Sequence, residues 1–90
     1  MKKAIYINPR DSVATVTEDV DSGEFVEYIV GGESQVITAI QAIPAFHKIA
    51  VNAVNVGMPV YKYGEEIGIA SVDILAGEHV DVLNIQSVRA

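Results

Sequence analysis

Nine consecutive residues, Val60-Tyr61-Lys62-Tyr63-Gly64-Glu65-Glu66-Ile67-Gly68, limit what this chain can fold into more than any other stretch. A β-branched and aromatic run meets a glycine, two acids and a second apolar run closed by another glycine. Strand-forming residues on both sides of a short polar turn make a hairpin, and Gly64 supplies backbone freedom that a side chain would forbid. His47-Lys48-Ile49-Ala50 precedes the hairpin and Gly77-Glu78-His79-Val80 follows it, so both histidines of the sequence flank it. A ligand site is expected there.

The rest of the chain punctuates in the same way. Ala4-Ile5-Tyr6-Ile7 reads as a short strand stopped by Asn8-Pro9, because proline cannot donate to a ladder. Asp11 and Ser12 offer side-chain oxygens to that turn, and Val13 to Thr17 resumes an extended pattern. Phe25 to Val30 is a further strand, and Gly31-Gly32-Glu33-Ser34 is expected to be the most flexible loop. Val36 to Ile43 fits strand better than helix, since its residues are largely β-branched and Pro44 closes it. Strands are also expected at His47 to Val51, Val60 to Tyr63, Ile67 to Ala70 and Val80 to Ile85. Many short strands with glycine turns predict an all-β fold.

One local pattern occurs three times: Val20-Asp21-Ser22-Gly23, Val54-Asn55-Val56-Gly57 and Ile74-Leu75-Ala76-Gly77, each followed three residues later by a valine. An apolar residue plugged into the core, a turn through glycine and then a strand is the physical reading. The spacing is too uneven for a solenoid, so one kind of corner is used several times.

Ninety residues, half of them apolar, suffice for a single domain over residues 1–90 with its own core. Without cysteine there is neither a disulfide framework nor a thiolate nucleophile or ligand. The apolar stretch behind Met1-Lys2-Lys3 ends at Pro9, too soon for a secretory signal or a membrane span, so a cytoplasmic location and no membrane partner are expected. A net charge of −6 with scattered lysines and arginines argues against nucleic acid.

Asp11-Ser12-Val13-Ala14, His47-Lys48-Ile49-Ala50, Val60-Tyr61-Lys62-Tyr63-Gly64, Ile67-Gly68-Ile69-Ala70, Asp73-Ile74 and Gly77-Glu78-His79-Val80 with Asn84 follow one another in an order that resembles the SAF domain of the altronate and galactarate dehydratase family. The likeness covers nearly the whole chain. It implies a β-clip fold of short twisted hairpins with long loops, and a place in a sugar-acid hydro-lyase as its N-terminal domain or as a separate small subunit. Because the sequence stops at Ala90, where the family domain ends, the small subunit beside a larger catalytic chain is the expectation. A similar small subunit occurs in a sulfolactate lyase, so elimination of sulfite in place of water stays open. SAF-like domains also occur in sialic acid synthases and antifreeze proteins, so a non-catalytic carbohydrate-binding or assembly module is the competing class.

Dehydration of a hydroxy acid needs a base beside the carboxylate, an acid for the departing hydroxyl and commonly a divalent metal to hold substrate oxygens. The resemblance implies such a metal, Fe, Mn or Mg, in the complete enzyme. His79 sits where the family writes Gly-Glu-His-Val-His-x-His-Asn, but Asp81 and Leu83 replace the second and third histidines. His79 and Asp81 are therefore the candidate metal ligands, as carboxylate oxygen suits a hard cation and leucine binds none. A further departure is Phe46, where the family commonly has glycine before His-Lys.

The candidate substrate-binding residues are His47, Lys48, Lys62 and His79. A cationic His-Lys pair on a loop suits a substrate carboxylate. Two of them have a plainer reading: His79 bonding a turn carbonyl, and Lys62 lying on a solvated strand face with Tyr61 and Tyr63 packed inward opposite it. Glu65 and Glu66 read as a polar turn, and Asp11 as a turn former. A small sheet with exposed edges and many apolar residues also invites a homo-oligomer.

Overall fold

A computed structural model describes residues 1–86. Its order is β1 (Lys2–Ile5), β2 (Val13–Val16), β3 (Phe25–Val30), β4 (Glu33–Thr38), β5 (Lys48–Ala50), β6 (Pro59–Lys62), β7 (Glu65–Ala70), β8 (His79–Val80) and β9 (Ile85–Gln86), and the all-β fold class stands. Six strands form one sheet in the order β4-β3-β1-β2-β5-β8, in which only β1 and β3 run parallel; β6, β7 and β9 form a second, antiparallel sheet. No helix of the described residues is long and apolar enough to cross a membrane.

The β2–β5 pair explains why the core is split in two. Side chains alternate across a strand, so Ala14 and its partner Ile49 point to one side and Val13 and its partner Ala50 to the other. On the first side Ala14, Val16, Val20, Ile43 and Ile49 pack together; on the second, Val13, Ala50, Val60, Ile74 and Val80 do. Both faces of the ribbon are thus dry over Ile49 to Val51 and Val13 to Ala14, which is why those stretches show no polar alternation.

The recurring corner is real, and it occurs four times. Val20, Val54 and Ile74 are buried plugs, and Gly23, Gly57 and Gly77 take φ of 93°, 86° and 93°. The valines that follow, Val26, Val60 and Val80, are at most 1% exposed. The fourth corner is Ile43-Pro44-Ala45-Phe46, with Phe46 at φ 67° where the others have glycine. In each, the next residue's N–H closes the turn: Glu24 to the Asp21 carbonyl, His47 to Pro44, Met58 to Asn55 and Glu78 to Leu75, at 3.0–3.1 Å. Plugs bridge in pairs, Val20 with Ile43 and Val54 with Ile74. The aspartate before one plug caps the opposite corner: Asp19 Oδ1 accepts from Ala45 N–H and Asp73 Oδ1 from Val56 N–H, both at 2.8 Å.

Several boundaries differ from expectation. Gly31 and Gly32 form a tight two-residue turn and Glu33 and Ser34 already pair in β4, so the expected flexible loop is the tip of a regular hairpin. The strand expected over Val36 to Ile43 starts earlier and ends at Thr38, where Ala39 turns into the core. Val80 to Ile85 divides into β8 and β9 around a turn. In the central hairpin the turn residues are Tyr63 and Gly64, both at positive φ, and Glu65 and Glu66 pair in β7 opposite Lys62 and Tyr61. Tyr63 consequently faces outward instead of packing inward.

Candidate functional site

The corner geometry delivers both histidines to one place. His47 leaves the Ile43–Phe46 corner into β5, and His79 follows the Ile74–Gly77 corner into β8. Ile49 is the direct partner of His79, so His47, two residues before Ile49, is its diagonal neighbour on the same face. The rings meet with His47 Nδ1 2.9 Å from His79 Nε2, their centroids 5.0 Å apart. On the other side of the His79 ring, Nδ1 lies 3.5 Å from Asp81 Oδ2.

Hydrogen bonds between side chains and backbone hold the His79–Asp81 segment. His79 N–H donates to Gln41 Oε1 at 2.8 Å, and its carbonyl accepts from Asn84 Nδ2 at 2.7 Å. Asn84 Oδ1 accepts from Asp81 N–H at 2.8 Å, and Asp81 Oδ1 accepts from Leu83 N–H at 2.8 Å. Asn84 is nearly buried and ties both ends of the segment. Burial, foremost, pushes the His79 pKa below the usual imidazole range; the Asp81 carboxylate opposes the shift, and His47 and Lys48 add to it.

Beside His79 opens a cleft of about 460 Å³, lined with Asp19, Val20, Asp21, Ala42, Ile43 and Pro44. That volume is in the range of small-molecule sites. Its carboxylates and the imidazole offer hydrogen-bond acceptors and donors suited to hydroxyl groups.

The expected lysines stand elsewhere. Lys48 pairs with Thr15 and Val80 on the opposite face of the ribbon, half-buried. Burial, foremost, and the neighbouring Lys62 charge lower its pKa, while Asp81 raises it. Its charge is therefore felt at both His79 and Asp81. Lys62 holds its ammonium 4.9 Å from the centroid of the Tyr63 ring, a cation–π contact at the hairpin tip. The fold thus brings His47, His79 and Asp81 together and sets Lys48 and Lys62 behind them. Phe46, next to His47, is 76% exposed.

The divalent metal expected at His79 and Asp81 finds too few donors among these residues. Asp81 approaches one ring nitrogen of His79, and His47 occupies the other. Among the described residues no group of three or more histidine and carboxylate side chains is arranged to hold an ion. These residues alone do not fit a metal centre.

Sequence reasoning missed Gln41 and Asp19 and undervalued Asn84. Asp19 had a readable signal, since an aspartate precedes the plug in two corners, at Asp19 and Asp73. Gln41 had none, because its partner lies 38 residues away.

Comparison with known proteins agrees with this architecture. The altronate/galactarate dehydratase SAF domain model matches residues 2–88. The chain is 35% identical over 83 residues to an altronate dehydratase of Escherichia coli (strain K12), covering 92% of this chain and 16% of that protein. It is 35% identical over 88 residues to an altronate dehydratase of Bacillus subtilis (strain 168), covering 97% of this chain and 17% of that one. The chain spans about one-sixth of the length of these relatives.

Proposed function

Because the chain belongs to the altronate/galactarate dehydratase SAF domain family, we propose that it serves a sugar-acid dehydratase as its small subunit or domain, working with a larger catalytic chain. The observation that carries this reading is the meeting of His47 and His79 at 2.9 Å, two imidazoles from 32 residues apart, with His79 lining a cleft. Structural stability does not require that. A core would be served by apolar side chains at a strand start, and polar groups so placed are retained where they bind or react.

The substrate is an acidic polyol. Its hydroxyls are taken by the histidines and by the cleft carboxylates Asp19 and Asp21. Lys48 and Lys62 lie on the other side of the ribbon from the histidines, so the group that holds the substrate carboxylate is assigned to the larger chain. Ninety residues offer too few loops to enclose such a molecule, so the larger chain supplies the remaining walls. The divalent metal that the family implies is assigned to that chain as well, since the donors here do not build its site.

Native mass spectrometry of the lightly tagged chain recovered from its own host tests the assembly. A hetero-oligomer with a larger protein is expected, and that complex should eliminate water from altronate or galactarate. His47→Ala and His79→Ala should then cut turnover by at least tenfold. Recovery of the chain alone or as a homo-oligomer, or unchanged turnover in both variants, would replace this reading with a non-catalytic assembly module.

A further inference from the structure

The order of atoms in the histidine pair has a chemical direction. A carboxylate oxygen only accepts, and Asp81 Oδ2 stands 3.5 Å from His79 Nδ1, an electrostatic contact longer than a hydrogen bond that favours the hydrogen on that nitrogen. In neutral imidazole the other nitrogen is then a lone pair, so His79 Nε2 accepts. Its partner at 2.9 Å, His47 Nδ1, must donate. His47 Nε2 is left with a lone pair on an exposed side chain. We infer that Asp81, His79 and His47 form a proton relay whose working atom is Nε2 of His47.

This deepens the proposed dehydratase role and rests on it. His47 Nε2 removes the proton from the carbon beside the substrate carboxylate, and the electron pair of that C–H bond enters the enediolate. As Nε2 gains its proton, the one on His47 Nδ1 shifts toward His79 Nε2, so the positive charge is shared between the exposed His47 ring and the His79 ring, where Asp81 offsets part of the cost of burial. The reverse shift returns the proton to the departing hydroxyl, which leaves as water, so nothing is consumed beyond the substrate.

Asp81 is a positioning residue here. Its Oδ1 is spent on Leu83 N–H, which aims Oδ2 at the ring, and Asn84 fixes the distance between the two residues. The other charges around the relay are Lys48 across the ribbon and Asp19 and Asp21 in the cleft. None of these contacts the His79 Nδ1 side among the described residues, so Asp81 alone sets the direction.

Two-bond ¹H–¹⁵N correlation spectra of the labelled chain at neutral pH test this without substrate or partner. Both histidines should be in the Nδ1–H form, the opposite of the tautomer a free imidazole side chain prefers. Asp81→Asn, which keeps the side-chain shape, should return His79 to mixed or Nε2–H tautomers while the buried valine and isoleucine methyl signals stay in place. An Nε2–H His79 in the parent chain, or tautomers unmoved by Asp81→Asn, would overturn the relay. Loss of the relay would leave the assembly measurement untouched, so the two failures are separable.

Discussion

The carboxylate of Asp11 accepts the backbone N–H of Gly64 at 2.7 Å, joining the first turn of the chain to the tip of the central hairpin 53 residues later. The same carboxylate takes Tyr63 N–H at 2.9 Å and Asn8 N–H at 3.2 Å, and Asp11 is only 1% exposed. Three donors converge on one buried anion. Asp11→Ala removes charge-assisted bonds and orphans the donors, so it should cost about 3 kcal/mol by urea denaturation. Asp11→Asn keeps an acceptor and should cost less. A loss below about 1 kcal/mol for Asp11→Ala would mean that the hairpin tip is held by something else.

The four corners should respond differently to substitution. Phe46 takes φ 67° while its side chain is 76% exposed, so Phe46→Gly relieves backbone strain and gives up little burial. A gain of about 1 kcal/mol is expected. At Gly57 an added Cβ meets nothing within 4 Å, so Gly57→Ala should cost about 1 kcal/mol, the conformational strain alone. At Gly77 it would lie 2.2 Å from the Thr38 carbonyl oxygen. Gly77→Ala must shift backbone and should cost well over twice as much; equal losses at Gly57 and Gly77 would contradict this packing.

What the sequence disclosed followed its local chemistry. Valines three residues beyond each glycine, and the glycines themselves, marked three corners because the φ and the buried plug leave direct residue preferences. The fourth was hidden because Phe46 occupies the glycine position, so a local rule failed beside a candidate site residue. Both histidines were legible as neighbours of one hairpin. Their contact, and the placement of Lys48 on the opposite face, depend on the β5–β8 register, which pairs residues about 30 positions apart. Asp11 was legible as a turn former, while its longer reach was not.

Acid should weaken the fold through His79. Its folded-state pKa is lowered, mainly by burial, relative to an unfolded value near 6.5. Below about pH 6.5 the unfolded chain therefore binds more protons than the folded one. The His79 contribution is complete above that pH and is lost as pH falls through the folded-state value. Urea midpoints measured from pH 7.5 down to pH 5 should fall, and His79→Gln should flatten the slope. Asp81→Asn should steepen it, because Asp81 opposes the downward shift. A parent slope unchanged by both substitutions would remove His79 from the acid response.

Lys48 is where stability and binding should part. Burial and the charge of Lys62 both disfavour its ammonium, and its pKa is lowered from 10.5. The depressed value means that the folded chain binds fewer protons than the unfolded one as pH nears 10.5, so stability rises with pH across that window. Lys48→Met keeps the aliphatic stem against Thr15 and Val80 and deletes the disfavoured charge; because solvent screens a charge so far exposed, the gain should stay below about 1 kcal/mol. The alkaline rise should vanish with it. Because Lys48 faces away from the histidines and the cleft, the same variant in the reconstituted complex should leave KM for the sugar acid within about twofold of the parent value. A tenfold rise in KM would put the ammonium on the substrate and overturn this placement, whereas a destabilised variant would show that Asp81 compensates its burial more fully than the fold geometry indicates.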